Sequence, residues 1–403
     1  MSELEAIGIE QAIAQLTQGD FHAKWDSSKR FSQQFAEWGD RAIPPLIHHL
    51  KTTPNPENQW FLIRALSQFD QPAVVEALAE ILATTPEEDL QTEAIKALTR
   101  LDSSAIPTLS ALLHSRYPTA QRILAASTLA RIRRSDIIEP LLSITSDLDP
   151  QLRAIALEAL GSFHDPRITP ALLSALKDIP AVATEAIRAL GRRSDLLNTV
   201  DLVTPLRACL QRPEPAVAVE SAVALGRLGN EAATATLGEL LTQPAPTAVK
   251  IAAVRALGWI DRPSATDSLT IAFTYAVPVV MPPVKKEIAR SLGQTQSAAL
   301  KPKAAQPLVT FLKAIPAQNI ATPEAFTLTQ TVISALSRLG NSNALNSLIP
   351  LLGNPDSRIR MHALSALKQI DPRAAQAKIQ DYIKDGATPP PLKSRIVESL
   401  SAW

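Results

Sequence analysis

The sequence predicts an all-α fold, a right-handed α-solenoid (superhelix) of about 11–12 helix pairs. One pattern, about 15 residues long, recurs with drift along almost the whole 403-residue chain. Most successive copies lie about 29–36 residues apart, which is the period of solenoids built from helix pairs, and the interval before Asn341 is about 45. The composition is 46% hydrophobic but only 4% aromatic, so small and aliphatic side chains are available for close helix packing. Clear copies occupy residues 149–165, 216–230, 248–261 and 357–371.

The first helix of each repeat carries proline among aliphatic residues, as in segments 43–46, 106–109, 138–142 and 348–352. Proline lacks a backbone N–H, so it fits the first turn of a helix or marks a kink. A short turn follows, in which a polar residue precedes another proline. Where that residue is Asp or Asn, we expect it to cap the second helix by accepting bonds from its free N–H groups. The candidates are Asn55, Asp149 and Asn354, and Glu214 precedes the proline in another turn.

The second helix shows apolar residues at i, i+3, i+4 and i+7, the spacing of a buried helix face. Leu152, Ile155, Ala156, Ala159 and Leu160 illustrate this face. Second helices end before Gly, Asp or Asn in most repeats, which allows the repeats to be counted. These ends fall near Asp40, Asp70, Asp102, Arg134, Asp165, Ser194, Asn230, Asp261, Gln296, Asn341 and Asp371.

The repeat count divides the chain into two predicted parts. Residues 1–40 are predicted to form a degenerate helical cap, with a second helix at roughly Ser27–Trp38. Residues 41–403 are predicted to form a continuous solenoid. An irregular zone at 278–324 interrupts it with several prolines and an insertion at 314–324, which is either a tolerated surface loop or a second contact site.

The pattern Asp-Pro-x-Leu-Arg-x-x-Ala-x-x-Ala-Leu-Gly, complete at residues 149–161, resembles the HEAT-repeat family. The short Ala-rich units resemble most closely its phycobilisome-lyase HEAT-like class. The resemblance implies that second helices line a concave side, where an Arg near each helix start forms a ladder with neighbouring Asp residues. The ladder is interrupted in the first two repeats and at the centre, so we expect no uniform basic groove. The corresponding residues are Gln59, Gln91, Arg122, Arg153, Ala183, Ala218, Lys250, Lys285, Thr329, Arg360 and Lys393.

Charge and composition limit the classes of partner that this chain can bind. Lys and Arg number 40 against 39 Asp and Glu, so the chain lacks the basic excess of a nucleic-acid binder or of a HEAT-like DNA-repair glycosylase. The single cysteine excludes a disulfide framework. No apolar run reaches the ~18–20 residues that span a bilayer, and the acidic start lacks the basic region of a secretory signal. We therefore expect a cytoplasmic protein with no membrane partner.

No catalytic constellation is present. The sequence contains no GxSxG, P-loop, HExxH or Gly-rich dinucleotide motif, so we expect no catalytic residues. His48 and His49 point about 100° apart on a helix, which disfavours a shared metal ion. We therefore expect neither a metal nor a cofactor-binding residue.

Aromatic residues concentrate at the start of the chain, where the first 70 residues hold 8 of its 17 aromatics. One interpretation is a hydrophobic cap on the first repeat, which every solenoid needs. The other is an anchor for a partner protein, because Trp is enriched at binding hot spots. The candidate partner-binding residues are Trp25, Trp38, Trp60, Arg122, Arg153, Lys250, Lys285 and Arg360.

Two functional hypotheses follow. The first is a non-catalytic scaffold or assembly factor that binds a client protein through its concave surface, as a monomer or a heterocomplex. The second is implied by the resemblance: a phycobilin lyase, a lyase-isomerase or a chaperone-like relative that acts on phycobiliprotein subunits. The first needs no cofactor, whereas the second would handle a bilin.

Overall fold

The computed structural model describes residues 3–274, 281–314, 322–385 and 388–400, and the regular structure of these residues is entirely helical. Within them, 24 α-helices form twelve consecutive pairs, which confirms the predicted all-α solenoid. Short 3-10 turns precede or extend several helices. The α-helices are α1 (Glu3–Thr17), α2 (Phe21–Trp38), α3 (Ile43–Thr52), α4 (Pro56–Leu66), α5 (Pro72–Thr84), α6 (Glu88–Arg100), α7 (Ile106–Leu112), α8 (Thr119–Leu129), α9 (Ile138–Ser143), α10 (Pro150–Leu160), α11 (Thr169–Ala175), α12 (Pro180–Leu190), α13 (Val203–Leu210), α14 (Pro215–Leu228), α15 (Glu231–Thr242), α16 (Thr247–Ile260), α17 (Pro263–Thr274), α18 (Pro282–Leu292), α19 (Lys301–Ala314), α20 (Pro323–Leu339), α21 (Leu345–Leu348), α22 (Ser357–Ile370), α23 (Pro372–Lys384) and α24 (Pro390–Leu400).

The chain divides into two compact units, Met1–Ala189 and Leu190–Trp403. In the first unit the second helices α4, α6, α8 and α10 contact one another in succession. In the second unit α14, α16, α18, α20 and α22 do the same. Within each unit, successive repeats therefore pack against one another, as in other solenoids.

The predicted domain boundaries stay predictions. Residues 1–40 contain α1 and α2, which form a helix pair like the pairs that follow. Of the predicted irregular zone at 278–324, residues 278–280 and 315–321 lie outside the described residues. The remainder of that zone lies in and around α18, α19 and the start of α20.

Helix α2 begins at Phe21, six residues before the predicted start at Ser27. The Asp20 carboxylate accepts a hydrogen bond of 2.9 Å from the Ala23 N–H, so Asp20 acts as its cap. The longer helix places Phe21 and Trp25 one turn apart, on the same face.

Two of the three predicted caps are confirmed. Asn55 and Asp149 accept N–H bonds at the starts of α4 and α10, at 2.9 and 2.8 Å from their nearest donors. At α22 the prediction was wrong, because Asp356 caps the helix by accepting from Arg358 N at 2.8 Å. Before α14, the Glu214 carboxylate pairs with Arg212 at 3.1 Å and makes no cap bond.

The predicted inward face of α10 is confirmed in the main. Leu152, Ala156, Ala159 and Leu160 are buried, whereas Ile155 is half-buried. The same register buries Leu225 in α14. Helical spacing therefore accounts for the core, because each second helix contributes one aliphatic stripe.

Several second helices approach so closely that only small residues fit between them. A Cβ placed on Gly226 of α14 would lie 2.6 Å from the Cβ of Ala256 in α16 and 3.0 Å from its Cα. Gly161 meets Ala189 in the same way in the first unit. The glycines in the recurring pattern therefore mark helix contacts as well as helix ends.

Replacing Leu225 by Ala is expected to lower the free energy of unfolding by about 2–5 kcal/mol, as for other buried Leu deletions. Leu160→Ala should do the same, since both side chains are fully buried. Urea unfolding followed by circular dichroism measures the loss. Leu148→Ala is the matched control, because Leu148 is 99% exposed and should lose almost nothing. No difference between Leu225 and Leu148 would contradict the assigned inward face.

Gly226→Ala should destabilise the protein by about 1–3 kcal/mol, because the added methyl group overpacks the contact with Ala256. Gly8→Ala provides the control within another helix. A Cβ at Gly8 would meet only the Trp38 ring, at 3.7 Å, which is ordinary van der Waals contact. Gly8→Ala should therefore be neutral or stabilising by up to about 1 kcal/mol. Equal effects at the two glycines would refute the close approach of α14 and α16.

Candidate protein-binding surface

Four rings from α2 and α4 form what we call the aromatic cluster: Phe21, Trp25, Trp60 and Phe61. The Trp25 and Trp60 ring centroids are 6.1 Å apart at an interplanar angle of 26°. Phe21 lies 6.1 Å from Trp25 and 6.2 Å from Trp60, and Phe61 lies 5.0 Å from Trp60. These separations fall within the range of favourable aromatic contacts.

Burial is uneven across the aromatic cluster. Phe61 is fully buried, Trp25 and Trp60 are half-buried, and Phe21 remains 47% exposed. The cluster therefore seals the contact between α2 and α4 on one side and presents apolar ring surface to solvent on the other.

Arg64 binds the two tryptophans together. Its guanidinium carbon lies 4.8 Å from the centroid of each of the Trp25 and Trp60 rings. A cation at this distance is attracted by the electron-rich ring face, and the contact is worth about 0.5–1 kcal/mol when exposed. The Glu93 carboxylate of α6 lies 3.8 Å from the same guanidinium. The ring surface is thus held in place by a charged side chain from α4.

Two cavities border the aromatic cluster and differ in charge. The first, the basic cavity, has a volume of about 350 Å³. The second, the acidic cavity, has a volume of about 470 Å³. The basic cavity is lined by Leu16, Trp25, Ser28, Lys29, Phe61, Arg64, Ala65, Gln68, Glu93 and Arg100. The acidic cavity is lined by Phe21, Pro56, Glu57, Trp60, Glu87, Asp89 and Leu90.

A buried lysine anchors α2 next to the acidic cavity. Lys24 is 5% exposed, and its ammonium donates to the Glu57 carboxylate and to the Asn58 side-chain oxygen, both at 2.8 Å. Glu57 is therefore partly neutralised. Glu87 and Asp89, at the start of α6, are exposed.

In many repeats, the side chain at the fourth position of the second helix donates a hydrogen bond to the end of the preceding first helix or to the turn after it. Several of these side chains donate to a backbone carbonyl six residues earlier, at 2.7–3.2 Å: Gln59 to Thr53, Gln91 to Thr85, Arg153 to Asp147 and Arg360 to Asn354. Two donate to a carbonyl nine residues earlier: Arg122 to Leu113 at 2.9 Å and Lys250 to Leu241 at 3.1 Å. These carbonyls lack a partner in their own helix, so the donors satisfy them.

Two of these arginines also form the predicted ladder with Asp residues. Arg122 binds the Asp147 carboxylate with both of its terminal nitrogens, and Arg153 binds Asp178 with two bonds of 2.7 Å. Burial alone would raise the pKa of Asp147. Hydrogen bonds from Arg122 and the Asp149 N–H, together with the positive charges of Arg122 and Arg153, outweigh burial, so the pKa of Asp147 is lowered. The bond to Asp178 raises the pKa of Arg153.

The fourth-position cations differ in access. Lys250 is 1% exposed and Arg122 is 8% exposed, so both face the interior of the repeat. Burial lowers the pKa of Lys250, because the interior disfavours its charged form. Arg153, Lys285 and Arg360 are half-buried. The structure gives Arg122, Arg153, Lys250 and Arg360 a role within the repeat, and their contact with a partner stays a prediction.

The structure brings together two of the three predicted Trp anchors. Trp25 and Trp60 stack in the aromatic cluster. Trp38 lies at the other end of α2, about 20 Å from Trp25 along the helix axis, where its ring packs near Gly8 of α1. Sequence reasoning missed Arg64, although its i+4 spacing from Trp60 places both on one helix face. It also missed Trp259 of α16, which is 61% exposed.

The described residues contain no group of three or more His, Cys, Asp or Glu side chains placed to hold a metal ion. Cys209 is buried in α13, as expected for a lone packing cysteine. In the described part of the chain, the helices also fall short of the length and apolarity that crossing a bilayer requires.

The family model for HEAT repeats matches residues 9–99, 43–130, 106–191, 138–211, 203–280 and 320–401. These matches cover most of the chain, which therefore belongs to the HEAT-repeat family. A comparison with curated proteins finds no match.

Solved structures of Kap121p and Kap95p share the fold. Kap121p bound to Ste12p superposes with a TM-score of 0.59 at 14% identity, over 98% of this chain and 49% of that one. Kap95p in complex with RanGDP superposes with a TM-score of 0.54 at 15% identity, over 98% of this chain and 60% of that one. Kap121p bound to the extreme C-terminus of Cdc14p superposes with a TM-score of 0.55 at 13% identity, over 99% of this chain and 54% of that one. The chain thus spans about half to 60% of these proteins, and at such identities the likeness concerns the fold.

Arg153→Ala is expected to lower the free energy of unfolding by about 1–3 kcal/mol, because two carbonyls and Asp178 lose their donor. Arg153→Gln should lose less, since Gln59 and Gln91 reach the equivalent carbonyl in their own repeats. Urea unfolding of both variants measures the difference, with the exposed Arg133→Ala as control. Equal losses for Ala and Gln would show that the carbonyl bond contributes little.

Proposed function

We propose that this protein is a non-catalytic scaffold that binds a client protein, and that the aromatic cluster with Arg64 anchors the client. The observation that carries the proposal is the half-buried stack of Trp25 and Trp60, with the Arg64 guanidinium in contact with both rings. Trp and Arg are the residue types enriched at binding hot spots, where a few side chains supply most of the affinity.

The setting of the cluster supports this proposal. Hot spots favour rigid apolar anchors beside pockets that a partner can fill. Phe61 and the ion pair of Lys24 with Glu57 fix the cluster from within, and a cavity of several hundred Å³ lies at each border. A ring surface held this firmly would lose little conformational entropy when a partner binds.

The comparisons support a protein partner. HEAT repeats stack into extended surfaces that suit macromolecular ligands. Kap121p and Kap95p share the fold and are bound to proteins in their structures. We extend that mode of action to this chain, with the client lying along the side that the second helices share. Among the predicted fourth-position contacts we retain Arg153, Lys285 and Arg360, which are half-buried, and leave out the buried Arg122 and Lys250.

Affinity purification of the tagged protein from its native host tests the proposal. We expect one partner in stoichiometric amount, lost or weakened about 30-fold or more in Trp25→Ala/Trp60→Ala, since a hot-spot residue contributes about 2 kcal/mol or more. Phe21→Ala is a second variant that removes the most exposed ring with least effect on the fold. Circular dichroism and urea unfolding check that each variant folds.

Trp259→Ala is the matched control, because it removes an exposed tryptophan from the second unit. Retention of the partner by this variant, with loss in the cluster variants, would support the assigned surface. Unchanged binding by folded cluster variants would reject that surface. A wild-type preparation without any stoichiometric partner would reject the scaffold itself.

The alternative of a phycobilin lyase, a lyase-isomerase or a chaperone-like relative rests on the sequence pattern of the repeats. A visible absorption spectrum of the same preparation tests it directly. A bilin band together with a phycobiliprotein subunit would favour this alternative, whereas a colourless preparation with another partner would favour the scaffold.

A further inference from the structure

We infer that the basic cavity binds an acidic peptide segment of the client, one that carries a large apolar side chain between carboxylates. The inference rests on the proposed function and specifies the chemistry of the partner. It follows from three features of the cavity: its uncompensated positive charges, its apolar wall, and its size.

The cavity lining holds three cations, Lys29, Arg64 and Arg100, against one carboxylate, Glu93. The Lys29 ammonium lies 5.5 Å from the centroid of the Trp25 ring, and Arg100 donates to the Ser67 hydroxyl at 3.2 Å. Both charges therefore face neutral partners, and both side chains are exposed. Cations placed in this way attract a carboxylate, and charge complementarity would select partners of opposite sign.

Glu93 does not cancel this charge. Its carboxylate is 7% exposed and lies between Arg64, at 3.8 Å, and Lys96, at 3.3 Å. One negative charge is thus shared by two cations, one of which lies outside the cavity lining. The field at the mouth of the cavity is therefore set by Lys29 and Arg100.

The wall of the cavity is apolar where the aromatic cluster borders it. Leu16 and Phe61 are fully buried and add little accessible surface, whereas Trp25 is half-buried, so an entering aliphatic or aromatic side chain would meet the Trp25 ring. A volume of about 350 Å³ lies at the lower end of ordinary ligand pockets and exceeds what a small inorganic anion needs. An acidic peptide with one apolar side chain satisfies both parts of the lining.

Fluorescence anisotropy with a labelled pentapeptide, Glu-Asp-Leu-Asp-Glu, tests the inference on the full-length protein. Saturable binding is expected, and Lys29→Glu/Arg100→Glu should weaken it at least about tenfold by reversing the sign at the cavity mouth. Arg133→Glu/Lys177→Glu is the matched control. It makes the same change in net charge at two exposed positions of the first unit and should change the affinity by less than about twofold.

Three results would overturn the inference. Equal affinity for the neutral peptide Gln-Asn-Leu-Asn-Gln would show that the carboxylates do not matter. Equal weakening by the control variant would show that only net charge matters. Binding of inorganic phosphate that depends on Lys29 and Arg100, with no binding of the peptide, would define a small-anion site in place of a peptide site.

The proposed function and this inference can fail separately. The first outcome is loss of the native partner in Trp25→Ala/Trp60→Ala with no binding of the acidic peptide to the wild-type protein. It would support the scaffold function and reject the acidic peptide as the ligand of the basic cavity. The second outcome is peptide binding that depends on Lys29 and Arg100, with no native partner found. It would support the basic cavity as a site for acidic peptides and reject the scaffold function.

Discussion

A hydrogen bond that recurs in many of the repeats is the interaction on which the stack depends. A first helix ends with carbonyl groups that have no partner of their own, and the turn to the second helix leaves them near its start. Gln59, Gln91 and Arg153 are among the side chains that satisfy these carbonyls from the fourth position of the second helix. Because repeats contact only their neighbours, a turn closed in this way positions the surface that the next repeat packs against.

Some positively charged side chains make this hydrogen bond within a repeat, whereas others remain available to bind a partner. Arg122 and Lys250 direct their charges into the repeat, where a partner cannot reach them without displacing a carbonyl bond. Lys29 and Arg100, in contrast, lie at the rim of a cavity beside exposed ring surface. The same residue types therefore stabilise the fold in one place and offer contacts in another, and burial decides between the two roles.

Helical periodicity was sufficient to predict the helix pairs and most of the inward face, because aliphatic residues such as Leu152 and Leu160 recur at core spacing. Periodicity could not predict the role of the fourth-position cations, because they bind backbone carbonyls. Every residue has such a carbonyl, so the sequence does not show which one is the partner. The aromatic surface was partly predictable: Trp25 and Trp60 stood out by composition, but their stacking depends on the register between α2 and α4. The early start of α2 was missed because the cap, Asp20, precedes a polar segment without clear periodicity.

The central claim is that a client contacts the aromatic cluster while the buried fourth-position cations, Arg122 and Lys250, serve the fold. Hydrogen–deuterium exchange of the protein alone and with its native partner tests this most directly. The account predicts added protection in residues 21–31 and 56–68, which carry the cluster, and unchanged exchange in the turns at residues 113–122 and 241–250, which Arg122 and Lys250 close. Protection confined to those turns, with none in α2 or α4, would contradict it.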